Sequence, residues 1–500
     1  MRGQAARFFI QTSGPMIVNQ VSKNSTLSPT EPLYQLSATE LQRLLANGDI
    51  SAVEVMTSFL DRIETVNPKV NAICTLLERE EALALAREAD AQRARGEPLG
   101  PLHGIPIACK DLARTKGMRT TMGSLACKDM IPDTDSLFVE RLRAAGALII
   151  GKTNTPEFGA GSHTFNDVFG TTKNPYNLAK TAGGSSGGAA AALAARMLPI
   201  ADGSDMGGSL RNPAAFCNVV GFRPSMGRVP MWPSALTWQS RLGLEGPMAR
   251  DVDDLGLLLS VMAGPDPRDP RSIQQSPAPF ASIKALDGTG KRIGWSPDLG
   301  MLPVAQEIRD VCASALTAFA EMGCTVEQQH PDMTGAMEVF RTLRASYYAV
   351  GCGPLLGQHR HEMKTTLIEN TEIGLKLTAP DLLSADQKRS AVYQRMVEFF
   401  EEFDYLVLPT TQVAPFDHEQ EWVREIDGVA MDDYLDWMSI CCVITICDLP
   451  AISMPCGFTQ DGLPVGLQIV GKPWADMEVL QLAKAFEQRR PFANQEPDLK

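Results

Sequence analysis

The stretch from Gly183 to Arg211, GGSSGGAAAALAARMLPIADGSDMGGSLR, decides how this chain is read. It sets a first serine, Ser185, in a glycine run and a second, Ser209, directly after Gly207 and Gly208. Between them the run Ala189 to Ala195 predicts a close-packed buried helix, and Met197–Ala201 is an apolar run of strand length. Glycines beside a serine let the backbone approach a substrate carbonyl closely and take φ values that other residues avoid. Ser209 is therefore a candidate nucleophile, and the backbone N–H groups of Met206, Gly207, Gly208 and Ser209 are candidates to converge on an oxyanion. Taken alone, Gly-Gly-Ser also reads as a plain turn between strand and helix. The GGSSGG run reads as an anion-binding glycine loop, but the Lys-Ser/Thr ending of a phosphate loop is missing.

A nucleophilic serine needs a base, and Lys110 of GIPIACKDL lies upstream in an apolar setting. At an ordinary pKa of about 10.4 almost every lysine is charged near pH 7. Burial disfavours the ammonium and can lower that pKa by a few units. The competing reading is a surface ion pair between Lys110 and Asp111. Ser185 would relay between Lys110 and Ser209, because a hydroxyl accepts one proton while donating another. His103 and His163 lie near these motifs, but neither has the sequence context of a Ser-His-Asp triad.

Outward from this centre, Ser37–Glu40 and Ser51–Glu54 read as capping boxes that open amphipathic helices. A third helix is predicted over 78–95, ended by Gly96. Short apolar runs at Ile105–Cys109, Ala147–Ile150 and Met197–Ala201 alternate with helical segments. That alternation predicts an α/β architecture around a buried sheet. The stretch Pro265–Pro279 reads as a long loop, 290–400 as a helical insertion, and Tyr405–Leu408 as renewed strand. Near the end, strands are predicted on either side of an Asp461-Gly462 turn. We expect a single domain over 33–490, a C-terminal tail over 491–500, and no internal repeat. Residues 1–30 carry Arg2, Arg7 and Lys23, no acid, and an apolar patch at Phe8–Ile10 without a continuous apolar core behind it. Residues 1–32 read as a disordered extension, or as the product of an early start with Met16 as the true one.

Five hundred residues with 44 % hydrophobic and 21 % charged residues are ordinary for a globular chain. The net charge of −13 argues against a nucleic-acid partner, since phosphate binding is built on lysine and arginine. No run approaches the roughly 18 apolar residues of a membrane span. Eleven cysteines without a C-x-x-C pair read as free, buried thiols in a reducing cytoplasm, with no disulfide framework and no metal site.

Lys110, Ser185 and Ser209, with the glycines between them, resemble the Ser-cisSer-Lys triad of the amidase signature family. LHGIPIACKD at 102–111, GKTNTPEFGAGS at 151–162, NPAAFCNVVGFRPSMGRVP at 212–230, LPAISMPCGF and DGLPVGLQIVG are similar too. The resemblance implies a large mixed central sheet flanked by helices and no cofactor. It implies Ser209 as acyl-enzyme nucleophile, Ser185 as relay after a cis peptide, and Lys110 as general base and later acid. Ser204, Leu210 and Arg223 depart from the usual residues, and these departures are expected to touch no catalytic group.

Gly159 to Ser162 fall on a segment resembling one that lines the family's substrate channel, so Gly159 is a candidate substrate contact. Trp232 and Trp238 suggest an apolar or aromatic acyl group if they face the cleft, and core packing if they do not. The preferred reading is hydrolysis of a small apolar or aryl amide with water, a homodimer staying open as the assembly. Alternatives are a glutamine-hydrolysing amidotransferase subunit with partner chains, a carbamate or lactam hydrolase, and a non-catalytic binding protein on the same scaffold.

Overall fold

A computed structural model describes residues 32–239, 242–492 and 495–499. The expectations for residues 1–31 lie outside the described residues. The first helix, Ala38–Asn47, is capped by Ser37, whose Oγ accepts from Glu40 N–H, and it ends at Gly48 in the left-handed region. The next, Ala52–Val70, carries a complete capping box between Ser51 and Glu54, which satisfies two otherwise orphaned donors. The third covers Arg79–Ala94.

A three-stranded sheet forms from β1 (Ile73–Leu76), β2 (Pro106–Lys110) and β3 (Leu148–Thr153), in the order β1-β3-β2. A short hairpin, β4 (Lys173–Asn174) with β5 (Asn177–Thr181), follows it in the chain. The main sheet takes β6 (Ile200–Asp205), β7 (Val220–Arg223), β8 (Leu244–Ala249), β9 (Arg292–Trp295), β10 (Thr325–Gln328) and β11 (Tyr405–Pro409). Beyond a second hairpin, β12 (Glu425–Ile426) with β13 (Val429–Ala430), it is completed by β14 (Ala451–Phe458) and β15 (Pro464–Gly471). The order of its eight strands is β10-β9-β11-β15-β14-β7-β8-β6. β9 runs parallel to β10 and β11, and the other pairings are antiparallel, so the sheet is mixed. The expected turn at Asp461-Gly462 joins β14 to β15, with Gly462 at φ +75°.

The stretch 290–400 differs from its reading as a helical insertion. It carries long helices, Ala336–Cys352, Thr365–Lys376 and Ala379–Glu402, but β9 and β10 extend the main sheet from within it. These four-residue strands are too short and too mixed in composition to show a period of two.

Two features position the site. β6 is the edge of the main sheet, and the small sheet abuts it there: the Lys110 N–H on β2 donates to both Asp202 oxygens on β6, at 3.1 and 3.3 Å. The alanine-rich helix forms over Gly187–Ala194 and every residue of it is buried. A Cβ on Gly188 would stand 2.3 Å from Asn154 N, so only glycine lets this helix start against the backbone that follows β3.

Candidate active site

Lys110 ends β2 with a fully buried side chain. Its Nζ donates to three hydroxyls: Ser185 Oγ at 2.7 Å, Ser186 Oγ at 2.9 Å and Ser204 Oγ at 3.0 Å. Ser185 and Ser186 precede the buried helix, Ser204 comes from β6, and the Gly184–Ser185 peptide is cis. Burial pulls the Lys110 ammonium down to about 8, against the attraction of Glu245, Asp202 and Asp205. Glu245 stands opposite Ser204 in the β6–β8 ladder, and burial together with Asp202 pushes its carboxyl up. The alternative of a surface ion pair does not hold: Asp111 is itself buried and accepts from the Thr121 N–H.

The glycine turn after β6 is held from behind. Asp205 accepts from the N–H groups of Gly208 at 2.9 Å and Leu210 at 3.1 Å, and from Nε and Nη2 of Arg211 at 3.0 Å each. Arg223 donates to the Asp205 carbonyl, and all three side chains are completely buried. Burial alone would raise the Asp205 carboxyl, but Arg211 and Arg223 hold it well below the usual carboxylate range. Gly208 adopts φ +103°, and a Cβ there would stand 2.5 Å from Cys441 Cβ. Ser209 closes the turn at 5 % exposure, its carbonyl accepting from Ser186 N–H at 3.2 Å, so the two serine segments are joined by a main-chain bond.

This geometry revises the expected oxyanion donors. The Gly208 N–H faces Asp205, because a buried carboxylate between two arginines still needs its remaining lone pairs filled. Among the described residues the N–H groups of Gly207 and Ser209 meet no protein acceptor. Met206 packs onto a small apolar cluster with Ala160, Tyr348 and Met363. Gly159, at φ +70°, lies beside Ser185: a Cβ there would stand 3.5 Å from Ser185 Oγ.

Other expectations change. Ser204 contacts the lysine directly and Arg223 grips Asp205, so two of the three departures from the family residues touch the site. Trp232 lies under the Arg268 guanidinium, 4.7 Å from ring centroid to Cζ, and Trp238 is 82 % exposed, so neither packs in the core. The side chains that meet Gly207 are instead Phe340, Cys442 and Met438. No sequence pattern marks these, since they come from helices more than 100 residues further along the chain. Asp205 and Arg211 were missed as well, although an aspartate and an arginine bracketing a Gly-Gly-Ser turn is a readable signal.

His163 is buried, its Nδ1 2.7 Å from Thr181 Oγ1 and its Nε2 3.0 Å from the His418 carbonyl. Burial pulls it down to about 4, so it is neutral at pH 7, with Nε2 the donor to that carbonyl. His103 Nε2 is likewise 3.0 Å from the Ala89 carbonyl. Both imidazoles are engaged in structural bonds. His163→Ala is expected to lower kcat/KM of the folded protein by less than about tenfold, or 1.4 kcal/mol. A fall as deep as that of Ser209→Ala on the same amide contradicts this assignment.

The family model described as Amidase matches residues 54–480. The chain is 38 % identical to an acylamidase of Rhodococcus erythropolis, over 93 % of this chain and 98 % of that one. It is 35 % identical to a glutamyl-tRNA(Gln) amidotransferase subunit of Moorella thermoacetica, over 93 % and 99 %. Among solved structures it superposes on a bacterial aryl acylamidase with a TM-score of 0.87 at 32 % identity, covering 93 % of this chain and 99 % of that one. A 6-aminohexanoate cyclic dimer hydrolase gives 0.84 at 28 %, covering 94 % and 100 %. The protein is thus a hydrolase of carbon–nitrogen bonds in non-peptide amides. It belongs to the amidase signature family.

Proposed function

We propose that the protein cleaves a small amide through an acyl-enzyme on Ser209, with Ser185 as proton relay and Lys110 as base and then acid. The observation that carries this reading is the 2.7 Å bond from Lys110 Nζ to Ser185 Oγ, in a cage of hydroxyls. Among the described residues no carboxylate hydrogen-bonds to that amine. A lysine surrounded by hydroxyls can lose its proton without leaving a paired anion stranded.

In the forward step neutral Lys110 takes the Ser185 hydroxyl proton as Ser185 takes that of Ser209. Ser209 Oγ then bonds to the substrate carbonyl carbon, and the oxygen becomes an oxyanion. The Gly207 and Ser209 N–H groups, which meet no protein acceptor among the described residues, are the donors assigned to it in this reading, each such donor being worth about 3–4 kcal/mol. The proton returns along the same path to the leaving nitrogen, and water repeats the sequence to free the acid. No step calls on a cofactor.

The apolar wall of Phe340, Met438 and Met206 supports an apolar or aryl substrate, as do the acylamidase and aryl acylamidase relatives. The relative that opens a cyclic amide keeps lactams within reach. The amidotransferase relatives favour a second reading, in which glutamine is the substrate and activity appears only with partner chains. Fluorophosphonate labelling followed by peptide mapping tests the chemistry. The expected adduct is on Ser209 and is lost in Lys110→Ala; an adduct on another serine overturns the reading. Turnover of simple anilides by the chain alone separates it from the partner-dependent alternative.

The lysine base sets the pH dependence. Its charged form is inactive and dominates below its pKa, so kcat/KM is expected to rise about tenfold per pH unit up to about 8 and level off above. A profile flat from pH 6 to 10 on a chemistry-limited substrate contradicts a lysine base.

A further inference from the structure

Arg344 is 3 % exposed and sits on the Ala336–Cys352 helix, one turn beyond Phe340. The Phe340 ring tip lies 3.0 Å from where a Cβ on Gly207 would stand. Residues four apart on a helix are neighbours at about 5–6 Å, so Arg344 is the next side chain along the wall that meets the catalytic turn. Its guanidinium lies over two rings, with Cζ 4.5 Å from the Tyr348 centroid and 5.2 Å from that of Tyr434.

The other buried arginines are all tied to oxygen. Arg211 and Arg223 hold Asp205, Arg228 holds Asp476, Arg389 holds Asp448, and Arg250 donates to the Leu36 and Leu198 carbonyls. Arg344 makes no ion pair among the described residues, and its Nη1 is buried without a hydrogen-bond acceptor. The Tyr434 hydroxyl is a polar group in hydrogen-bonding contact with Arg344, but neither it nor Nη1 completes a well-aligned bond. Asp433 is near enough to feel the arginine, but Arg341 donates to both of its oxygens. A buried cation without an anion costs several kcal/mol, and ring faces return only about 2.

The same residues border the substrate segment. The Tyr348 hydroxyl donates to the Phe158 carbonyl at 3.3 Å. Tyr434 lines a small cavity together with Gly161 and Ser162. The unfilled donors thus stand between the Gly207 turn and the segment 158–162.

We propose that Arg344, flanked by Tyr348 and Tyr434, receives a carboxylate at the far end of the substrate's acyl chain. The preferred substrates are then half-amides of short dicarboxylic acids. A carboxylate fits because it is planar, pairs two oxygens with the guanidinium fork and lies flat between ring faces. This proposal rests on Ser209 being the nucleophile that the substrate carbonyl approaches.

The test compares mono-p-nitroanilides of succinic, glutaric and adipic acids with those of butanoic, pentanoic and hexanoic acids, matched for chain length. In the wild type at least one carboxylated anilide is expected to exceed its neutral counterpart tenfold in kcat/KM, chiefly through KM. Arg344→Met, close in volume, is expected to abolish that preference while kcat on the neutral anilides stays within about threefold. Neutral anilides preferred at every length by the wild type overturn the proposal without any variant. A preference that survives Arg344→Met overturns it too. Ser209 labelling separates these failures from the deeper one: an unlabelled Ser209 with no anilide turned over sinks the serine mechanism itself.

Discussion

Ser209→Ala is expected to lower kcat on a chemistry-limited amide by about four to six orders of magnitude, by analogy with nucleophile removal in serine hydrolases. The reason lies in the cage around Lys110. Three hydroxyl contacts hold the amine on Ser185, and in the proposed mechanism every step that moves a proton serves the attack of a single oxygen. Removing that oxygen leaves the relay and the remaining oxyanion donors with nothing to activate except water. Lys110→Ala is expected to fall to a similar level, because residues acting as one unit do not contribute additively. The double variant should be little worse than either single one. Single-turnover rates on an activated anilide, with the denaturation midpoint unchanged for Ser209→Ala, check this. Losses that multiply in the double variant would mean that the two residues act independently.

Asp205→Asn is expected to destabilise the fold by about 3–5 kcal/mol, the usual cost of breaking a buried charge pair from one side. Asparagine leaves Arg211 buried without a counter-ion and Arg223 with only Asp448, 3.7 Å away, both arginines being fully shielded from solvent. It also has a single acceptor oxygen where the carboxylate serves the N–H groups of both Gly208 and Leu210. The turn that presents Ser209 is therefore loosened together with the core. The midpoint of urea unfolding should drop, and the fluorophosphonate reaction of the folded variant should slow. An Asp205→Asn protein as stable as the wild type would mean that the two arginines find other acceptors.

The chemistry of the site was readable wherever it forces a local choice of residue. Gly208 is required by a turn that a Cβ would block, and Gly188 by the close approach of the alanine helix to the backbone after β3. What could not be read is what arrives from far along the chain. Ser204 looked like a mild exchange on a strand, yet its hydroxyl meets a lysine 94 residues upstream. An apolar contact near the site was sought in two tryptophans by the motif, whereas the side chains that meet Gly207 are Phe340, Met438 and Cys442. Helical periodicity marks Phe340 and Arg344 as sharing a face, but not what that face meets.

On the proposed mechanism, the groups that would cut and the groups that would choose come from different lengths of chain. Lys110, Ser185, Ser186, Ser204, Asp205 and Ser209 all precede β7, whereas Phe340, Arg344 and Tyr348 share one later helix, packed against Thr365–Lys376. A lineage that rewrote only residues 336–376 would inherit its scissors intact and acquire a new diet. Kindred proteins can thus part company over what they consume while agreeing, atom for atom, on how they consume it.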